Sequence, residues 1–275
     1  MGKTKRTLAA VAFTLVSCST QILPAATPTT VTALRLYATT PTIQLIHDLT
    51  STYGRLNPSI TFEVSTGNYE AMLQEVLRDE TAYLVTNHLD DEHPLWAAPI
   101  GQDGIAVIVH PSSDVTKLTT TQLRSIYQGW VNNWKAVGGT DSEIIVISRE
   151  DGSGTRAEFE NLVMGSRRTT STAQIAPSSA AVVTSVARQP NSIGYVSMSY
   201  LDDTVRALTL DSVMPTLENV YENVYPLRSI LYIAGQREPT ADDEMEAHYR
   251  AFIGWVQSPE GQALVSKHYA PLLKP

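Results

Sequence analysis

The chain has 275 residues, of which 43% are apolar and 17% charged, and its formal net charge is −8. This composition is typical of a globular body of one large or two modest domains. The acidic balance leaves no basic face for nucleic acid, and a single cysteine excludes a disulfide within one chain and a cysteine metal site.

The N-terminus has the pattern of a signal peptide over residues 1–17. Three basic residues precede an apolar run, 8–16, that is too short to span a bilayer. The run ends in Leu-Val-Ser-Cys, which resembles the lipobox of bacterial lipoproteins, so we expect Cys18 to carry a lipid. Residues 18–30 predict a flexible tether. Loss of the signal leaves 17 Lys and Arg against 28 Asp and Glu, a net charge of −11.

A first strand over 31–38 leads through Thr39, Thr40 and Pro41 into a helix whose apolar positions begin at Ile43. Proline suits the first turn of a helix, and threonine suits its cap. Because the free N–H groups at a helix start attract anions, this turn is a candidate anion contact. An ordinary capped helix is the alternative.

The next unit has a strand over 60–64, a polar turn that contains Ser65 and Thr66, and a helix from Tyr69. Two further strands follow, over 82–85 and 104–110.

Two histidines, His88 and His93, lie in an acidic stretch between those strands. Their spacing fits no pair of metal ligands on one helix face, so the sequence predicts a solvated loop. No metal or other cofactor is expected.

The central motif is the run 149–156, Arg-Glu-Asp-Gly-Ser-Gly-Thr-Arg, between a β-branched strand over 144–147 and a helical pattern from Ala157. Gly152 and Gly154 allow the backbone to approach a ligand closely. A glycine-rich turn at the start of a helix favours an oxyanion, whereas a lone Gly-Ser-Gly would predict only a helix cap.

Side chains in this run supply the polar groups. Ser153 and Thr155 carry hydroxyl donors, and Arg149 offers a planar fork of N–H groups that suits an oxyanion. We expect Asp151 to orient Arg149 and to accept a proton from a partly protonated anion. The run therefore predicts a site for a small tetrahedral oxyanion.

The remaining elements continue the alternation. A helix precedes the central motif, and the patterns after it predict a helix over 182–187, strands over 191–197, 205–210 and 228–234, and two final helices over 243–256 and 259–269. Strands alternating with helices favour an α/β protein.

The central motif closely resembles the phosphate-binding loop of the periplasmic phosphate-binding proteins, the receptors of high-affinity phosphate ABC importers. The resemblance extends over roughly 36–272. It implies a type II periplasmic binding protein fold with two lobes, two crossovers and a ligand cleft between the lobes. The implied limits are 31–109 and 201–275 for lobe one, and 110–200 for lobe two.

The resemblance also implies a function. The expected role is capture of inorganic phosphate by Thr39, Thr40, Ser65, Thr66, Arg149, Asp151, Ser153, Gly154 and Thr155. Delivery to an ABC permease would follow, from a monomer anchored outside the cytoplasmic membrane through Cys18. No catalytic residue and no enzymatic activity are implied.

Two departures keep other functions open. Ala38 replaces the glycine of the first-lobe turn, and neither Thr86 nor Asn87 is the acidic residue that the family carries there. A receptor for sulfate, molybdate or a small phosphonate is therefore one alternative, and a sensing lipoprotein is another. A hydrolase with Ser153 as nucleophile is disfavoured, because the Gly-x-Ser-x-Gly elbow is missing.

Overall fold

A computed structural model describes residues 1–2 and 31–272. The predicted signal peptide, Cys18 with its predicted lipid and the predicted tether fall almost entirely on residues 3–30, which lie outside the described residues. Among the described helices, none combines the length and apolarity that crossing a bilayer requires.

Strands and helices alternate through the described chain, which confirms the predicted α/β class. The strands are β1 (Thr32–Thr39), β2 (Ile60–Gly67), β3 (Tyr83–Thr86), β4 (Trp96–Val109), β5 (Lys117–Leu118), β6 (Ile145–Arg149), β7 (Gln174–Ala176), β8 (Ser192–Ser197), β9 (Arg206–Ala207), β10 (Thr209–Leu210) and β11 (Arg228–Gly235). The α-helices are α1 (Ile43–Leu56), α2 (Tyr69–Arg78), α3 (Thr120–Tyr127), α4 (Gly154–Phe159), α5 (Ser179–Arg188), α6 (Leu217–Tyr221), α7 (Glu244–Gln257) and α8 (Pro259–Val265). Short 3₁₀ turns cover Thr40–Thr42, Trp134–Val137 and Met198–Tyr200, and a π-helical turn, Glu160–Met164, extends α4.

The main sheet has the strand order β2-β1-β3-β11-β4-β8-β6-β7, with β9 also on β4. In its first half, β1 lies parallel to β2 and β3, and β11 runs antiparallel to β3 and β4. One face of this half packs on α1, α7 and α8, and the other face packs on α2. Parallel strands covered on both faces place their carboxyl ends, and the helix starts that follow them, at one edge.

Strand β4 belongs to both halves of the sheet. Its residues 96–104 pair with β11, and its residues 105–109 pair with β8. In the second half, β6 lies parallel to β7 and β8, with α3 on one face and α5 on the other.

The limits of the two halves stay a prediction, but the packing favours limits that differ from those of the sequence. Leu208, Val220 and Leu227 pack in the same apolar core as Val107. We therefore place the second half between about residues 104 and 227, instead of 110–200.

Strand β4 also begins earlier than its sequence pattern predicts. Pro99 and Gly101 interrupt the apolar run, and the register between β4 and β11 shifts where these residues pair. A proline is tolerated at such an irregularity, because it removes one donor from the ladder.

Candidate functional site

The central motif lies at the edge of the second half-sheet, where β6 ends and α4 begins. Ser153 caps the helix, since its hydroxyl accepts from the backbone N–H of Arg156 at 3.3 Å. Gly152 has a φ of 79°, in the left-handed region that glycine adopts without steric cost. The predicted strand, turn and helix start are therefore all present.

Arg149 is buried, with 1% of its surface exposed. Its Nε and Nη2 donate to the two carboxylate oxygens of Glu150 at 2.8 and 2.9 Å, and its Nη1 donates to the Ser179 hydroxyl at 2.9 Å. A guanidinium carries five N–H groups, so two remain for a ligand. A buried cation held this way has its orientation fixed before any anion arrives.

The predicted pairing of Asp151 with Arg149 is wrong. The Asp151 side chain is 95% exposed and forms an ion pair with Arg156. The reason is the left-handed turn at Gly152, which leaves Asp151 on the outside, while Glu150 remains next to the end of β6. Glu150 therefore orients Arg149, which is the role that the sequence assigned to Asp151.

Thr155 lies at the start of α4 and is fully buried, yet its hydroxyl has no hydrogen-bond partner in the described chain. Asn87, which follows β3, is also buried, and neither atom of its amide has a partner. A Cβ placed on Gly154 would lie 3.2 Å from Oδ1 of Asn87, so the amide lies against the turn. Buried polar groups are normally paired, and two unpaired groups beside one turn indicate a ligand site.

The first half-sheet contributes the turn after β1. Thr39 and Thr42 both donate to the carbonyl of Val85, at 3.3 and 3.0 Å. Thr40 donates to the carbonyl of Gly67 at 3.3 Å. These hydroxyls fix the turn against β3 and β2, so the role predicted for Thr39 and Thr40 as hydroxyl donors to the anion stays untested.

Three polar contacts join the two halves beside the central motif. The Tyr200 hydroxyl donates to the carbonyl of Thr40 at 2.9 Å, and the backbone N–H of Glu70 donates to the carbonyl of Gly152 at 3.1 Å. Burial raises the pKa of the Tyr200 hydroxyl, and the nearby Arg149 cation lowers it in part.

The third contact joins His88 to Glu158. Nδ1 of the imidazole lies 2.6 Å from Oε1 of the carboxylate, and the ring packs edge-on against Tyr69. The predicted solvated loop is wrong for His88, because only 8% of its side chain is exposed. The acidic neighbours predict a solvated position, whereas Tyr69 of α2 and Glu158 of α4 cover the side chain.

Ser65 and Thr66 are exposed on the edge strand β2, and neither makes a described contact with the central motif. Their role in ligand binding stays a prediction. The residue of that turn that lies against the motif is Asn68, whose amide nitrogen would be 3.6 Å from a Cβ on Gly152. Asn68 caps α2 by accepting from the N–H of Ala71.

Asp103 lies on β4 next to the crossover between the halves and is fully buried. Burial raises the pKa of its carboxyl to about 7, although the nearby Ser197 hydroxyl and the N–H groups of Gly104 and Met198 lower it. None of these neighbours has hydrogen-bond geometry to either carboxylate oxygen. The hydroxyl of Ser229, the residue directly opposite Asp103 on β11, is also buried and unpaired.

The chemistry of the site is that of a donor cluster. Two N–H groups of Arg149, the Thr155 hydroxyl and the amide of Asn87 are free for a ligand, whereas both oxygens of Glu150 are engaged. Ser153 serves as a helix cap, and no histidine of the described chain is hydrogen-bonded to it. In the described residues, no group of His, Cys, Asp or Glu has an arrangement able to hold a metal ion.

An α/β fold in two halves, with a buried guanidinium at the end of β6 and a helix start that faces the first half, defines a solute-binding protein of the type II periplasmic class. The family comparison agrees, since the model of the PBP superfamily domain matches residues 23–260. The chain belongs to this superfamily.

Solved structures and curated relatives refine the comparison. A candidate phosphate ABC transporter substrate-binding protein of Clostridium perfringens, solved with bound phosphate, is 30% identical and superimposes with a TM-score of 0.81 over 88% of this chain and 100% of that one. An ABC-type phosphate transport receptor of Vibrio cholerae is 25% identical, with a TM-score of 0.73 over 88% and 100% of the two chains. The phosphate-binding protein PstS of Bacillus subtilis is 37% identical over 126 residues. The predicted resemblance to phosphate-binding proteins is confirmed.

The curated matches are partial. The alignment with the Bacillus subtilis protein covers 45% of this chain and 41% of the relative. The alignment with PstS of Borreliella burgdorferi, at 27% identity, covers 60% and 61%. The chain thus spans about two fifths to three fifths of the length of these relatives.

Proposed function

We propose that the protein captures inorganic phosphate between its two halves, outside the cytoplasmic membrane, and delivers it to an ABC permease. In this proposal the chain acts as a monomer, without a catalytic role, and a lipid on Cys18 holds it at the membrane surface. The relatives named above support phosphate as the ligand, and the Leu-Val-Ser-Cys sequence supports the anchor.

One observation carries the proposal. Arg149 is buried between Glu150 and Ser179 with two N–H groups unused, and the unpaired hydroxyl of Thr155 lies in the same turn. An isolated buried cation is unfavourable. The carboxylate of Glu150 therefore keeps the guanidinium of Arg149 in place for an anionic ligand. The net charge of −11 that remains after loss of the signal would repel anions at long range, so the attraction comes from local donors in a closed site.

The test is calorimetric titration of the full-length chain with phosphate. We expect Arg149→Ala to weaken binding by about 2–5 kcal/mol, as truncation of one partner in a desolvated charge pair does. Arg168→Ala, which removes an exposed arginine, is the matched control and should bind as the native chain does. Unchanged affinity in Arg149→Ala would reject the assignment.

A second candidate, a receptor for sulfate, molybdate or another unprotonated oxyanion, is favoured by Asn87. Its amide can donate to an oxyanion, whereas a carboxylate there would accept the proton of a protonated phosphate and repel an unprotonated anion. Competition titrations at several pH values separate the two, since only a site with a proton acceptor should prefer protonated ligands. A sensing role would use the same binding site and differs only in the partner.

A further inference from the structure

A cavity of about 380 Å³ lies beside the central motif, between β11 and α4. Its polar lining comes from Asn87, Glu158, Arg228, Ser229 and Tyr232. Small-molecule sites occupy about 300–1,000 Å³, and one water accounts for about 30 Å³ of liquid. The cavity is therefore larger than the space that inorganic phosphate bound at the turn requires.

Two of the lining side chains are buried and unpaired. Asn87 is 1% exposed and Ser229 is 4% exposed. Neither the Asn87 amide nor the Ser229 hydroxyl has a hydrogen-bond partner in the described chain. A buried polar group without a hydrogen-bond partner is unfavourable, so a polar ligand in the cavity would stabilise both side chains.

Among the described residues that line the cavity, the cation available to a ligand is Arg228. Glu158 is engaged by His88 across the cleft. Arg228 makes a single hydrogen bond within the described chain, from Nη1 to the side-chain oxygen of Gln102 at 3.3 Å. Most of its N–H groups are free, and a planar guanidinium pairs best with a carboxylate or a phosphate.

The cavity adjoins the proposed anion site. Asn87 lines the cavity and also lies against Gly154, at 3.2 Å from the position of a Cβ on that glycine. Glu158 stands one helical turn after Gly154 on α4, which corresponds to about 5.4 Å along the axis. A molecule with its tetrahedral group on the turn would extend from there into the cavity.

We propose that this cavity is the second part of the ligand site and receives the carboxylate end of a small phosphonate or phosphate monoester. The inference rests on the proposed function, because the tetrahedral group of such a ligand would occupy the phosphate position. Arg228 pairs with the carboxylate, while Asn87 and Ser229 donate to its oxygens or, in a phosphate monoester, to the bridging ester oxygen. The ligand class is thus widened from inorganic phosphate to short carboxylated phosphonates and phosphate esters.

The experiment is competition calorimetry on the full-length chain with orthophosphate, phosphonoacetate and methylphosphonate. We expect phosphonoacetate to displace orthophosphate with an affinity within about tenfold of it, and methylphosphonate, which lacks the carboxylate, to bind at least about tenfold more weakly than phosphonoacetate. Arg228→Met should weaken phosphonoacetate at least about tenfold and change orthophosphate less than twofold. Arg168→Met, at an exposed position away from the cavity lining, should change neither.

The outcomes separate the two proposals. Orthophosphate binding without displacement by phosphonoacetate overturns the cavity proposal and leaves phosphate capture standing. Phosphonoacetate binding without orthophosphate binding overturns phosphate capture and supports the cavity. An equal loss of affinity for both ligands in Arg228→Met assigns Arg228 to general stability and overturns its role in binding the carboxylate. The comparison of phosphonoacetate with methylphosphonate on the native chain tests the cavity without any variant.

Discussion

His88 and Glu158 meet across the cleft although 70 positions separate them in the sequence, with Nδ1 of the imidazole 2.6 Å from Oε1 of the carboxylate. His88 follows β3 in the first half, and Glu158 lies on α4 in the second. The contact exists only when the two halves are close together, so it stabilises the closed form relative to any open one.

We expect His88→Ala to weaken phosphate binding about 5- to 30-fold, equivalent to about 1–2 kcal/mol, because the closed, binding-competent form becomes less populated. Stopped-flow measurements should find most of the effect in the dissociation rate. His47→Ala is the matched control, since His47 is 81% exposed beside Asp48. An unchanged dissociation rate in His88→Ala would exclude a role for this contact in closure.

Glu150, and not Asp151, should control the orientation of Arg149. Glu150→Gln removes the charge that balances a buried guanidinium, and we expect a loss of about 2–5 kcal/mol in phosphate affinity or in unfolding free energy. Asp151→Asn should change either quantity by less than about 0.5 kcal/mol, because surface substitutions rarely do more. Calorimetry and urea unfolding check both variants, and a larger effect at Asp151 than at Glu150 would contradict the assignment.

Thr155 should show opposite effects on stability and on binding. Thr155→Val replaces an unpaired buried hydroxyl with a methyl group of similar shape, so the ligand-free protein should gain up to about 1–2 kcal/mol in unfolding free energy. Phosphate affinity should fall, because one donor is lost. Thr155→Ser keeps the hydroxyl and should retain binding, and a Thr155→Val variant that binds normally would remove this hydroxyl from the site.

Gly152 should tolerate no side chain. Its φ is 79°, and a Cβ there would lie 2.8 Å from Cβ of Glu70. We expect Gly152→Ala to destabilise the fold by about 1–2 kcal/mol through the left-handed backbone alone, with a further loss of phosphate affinity because Glu70 belongs to the other half. Gly138→Ala separates the backbone effect from the contact with Glu70, since Gly138 has a φ of 90° and nothing within 4 Å of a Cβ. Equal phosphate affinity in Gly152→Ala and Gly138→Ala would contradict a role for the contact between Gly152 and Glu70.

Asp103 should make stability depend on pH. Burial raises the pKa of its carboxyl to about 7 from an ordinary value of 3.8. The native chain then holds a proton that the unfolded chain has released, so stability should fall as pH rises from about 4 to 7 and level off above. Urea unfolding across this range should show that the unfolding free energy of the native chain falls with pH, and that it falls less steeply in Asp103→Asn. Asp114→Asn, at an exposed position, is the control. An equally steep fall in Asp103→Asn would assign the pH dependence to other groups.

The sequence predicts the strand–turn–helix arrangement of the central motif because its signals are local. Gly152, Ser153 and Gly154 specify a turn and a cap within four residues, and the structure has both. The partners of that motif depend on tertiary contacts, which no spacing encodes. His88 looks solvated among acidic neighbours and becomes buried only when α4 covers it.

Asn87 illustrates the same limit in another way. The sequence records only that an expected carboxylate is missing, whereas the fold brings an unpaired amide against Gly154. A polar residue directly after an apolar strand was the available signal. Nothing in the sequence indicates that Glu150 pairs with its neighbour Arg149, whereas at the end of β6 both of its carboxylate oxygens reach the guanidinium.

The continuity of β4 has a consequence for any attempt to divide the protein. Residues 96–104 of this strand end the first half-sheet beside β11, and residues 105–109 of the same strand pair with β8 and β9 in the second. A fragment that ends before residue 96 would lack both β4 and β11, and one that starts after residue 109 would lack β4 and expose unpaired backbone on β8 and β11. We therefore expect that neither half folds alone and that unfolding proceeds as a single cooperative transition.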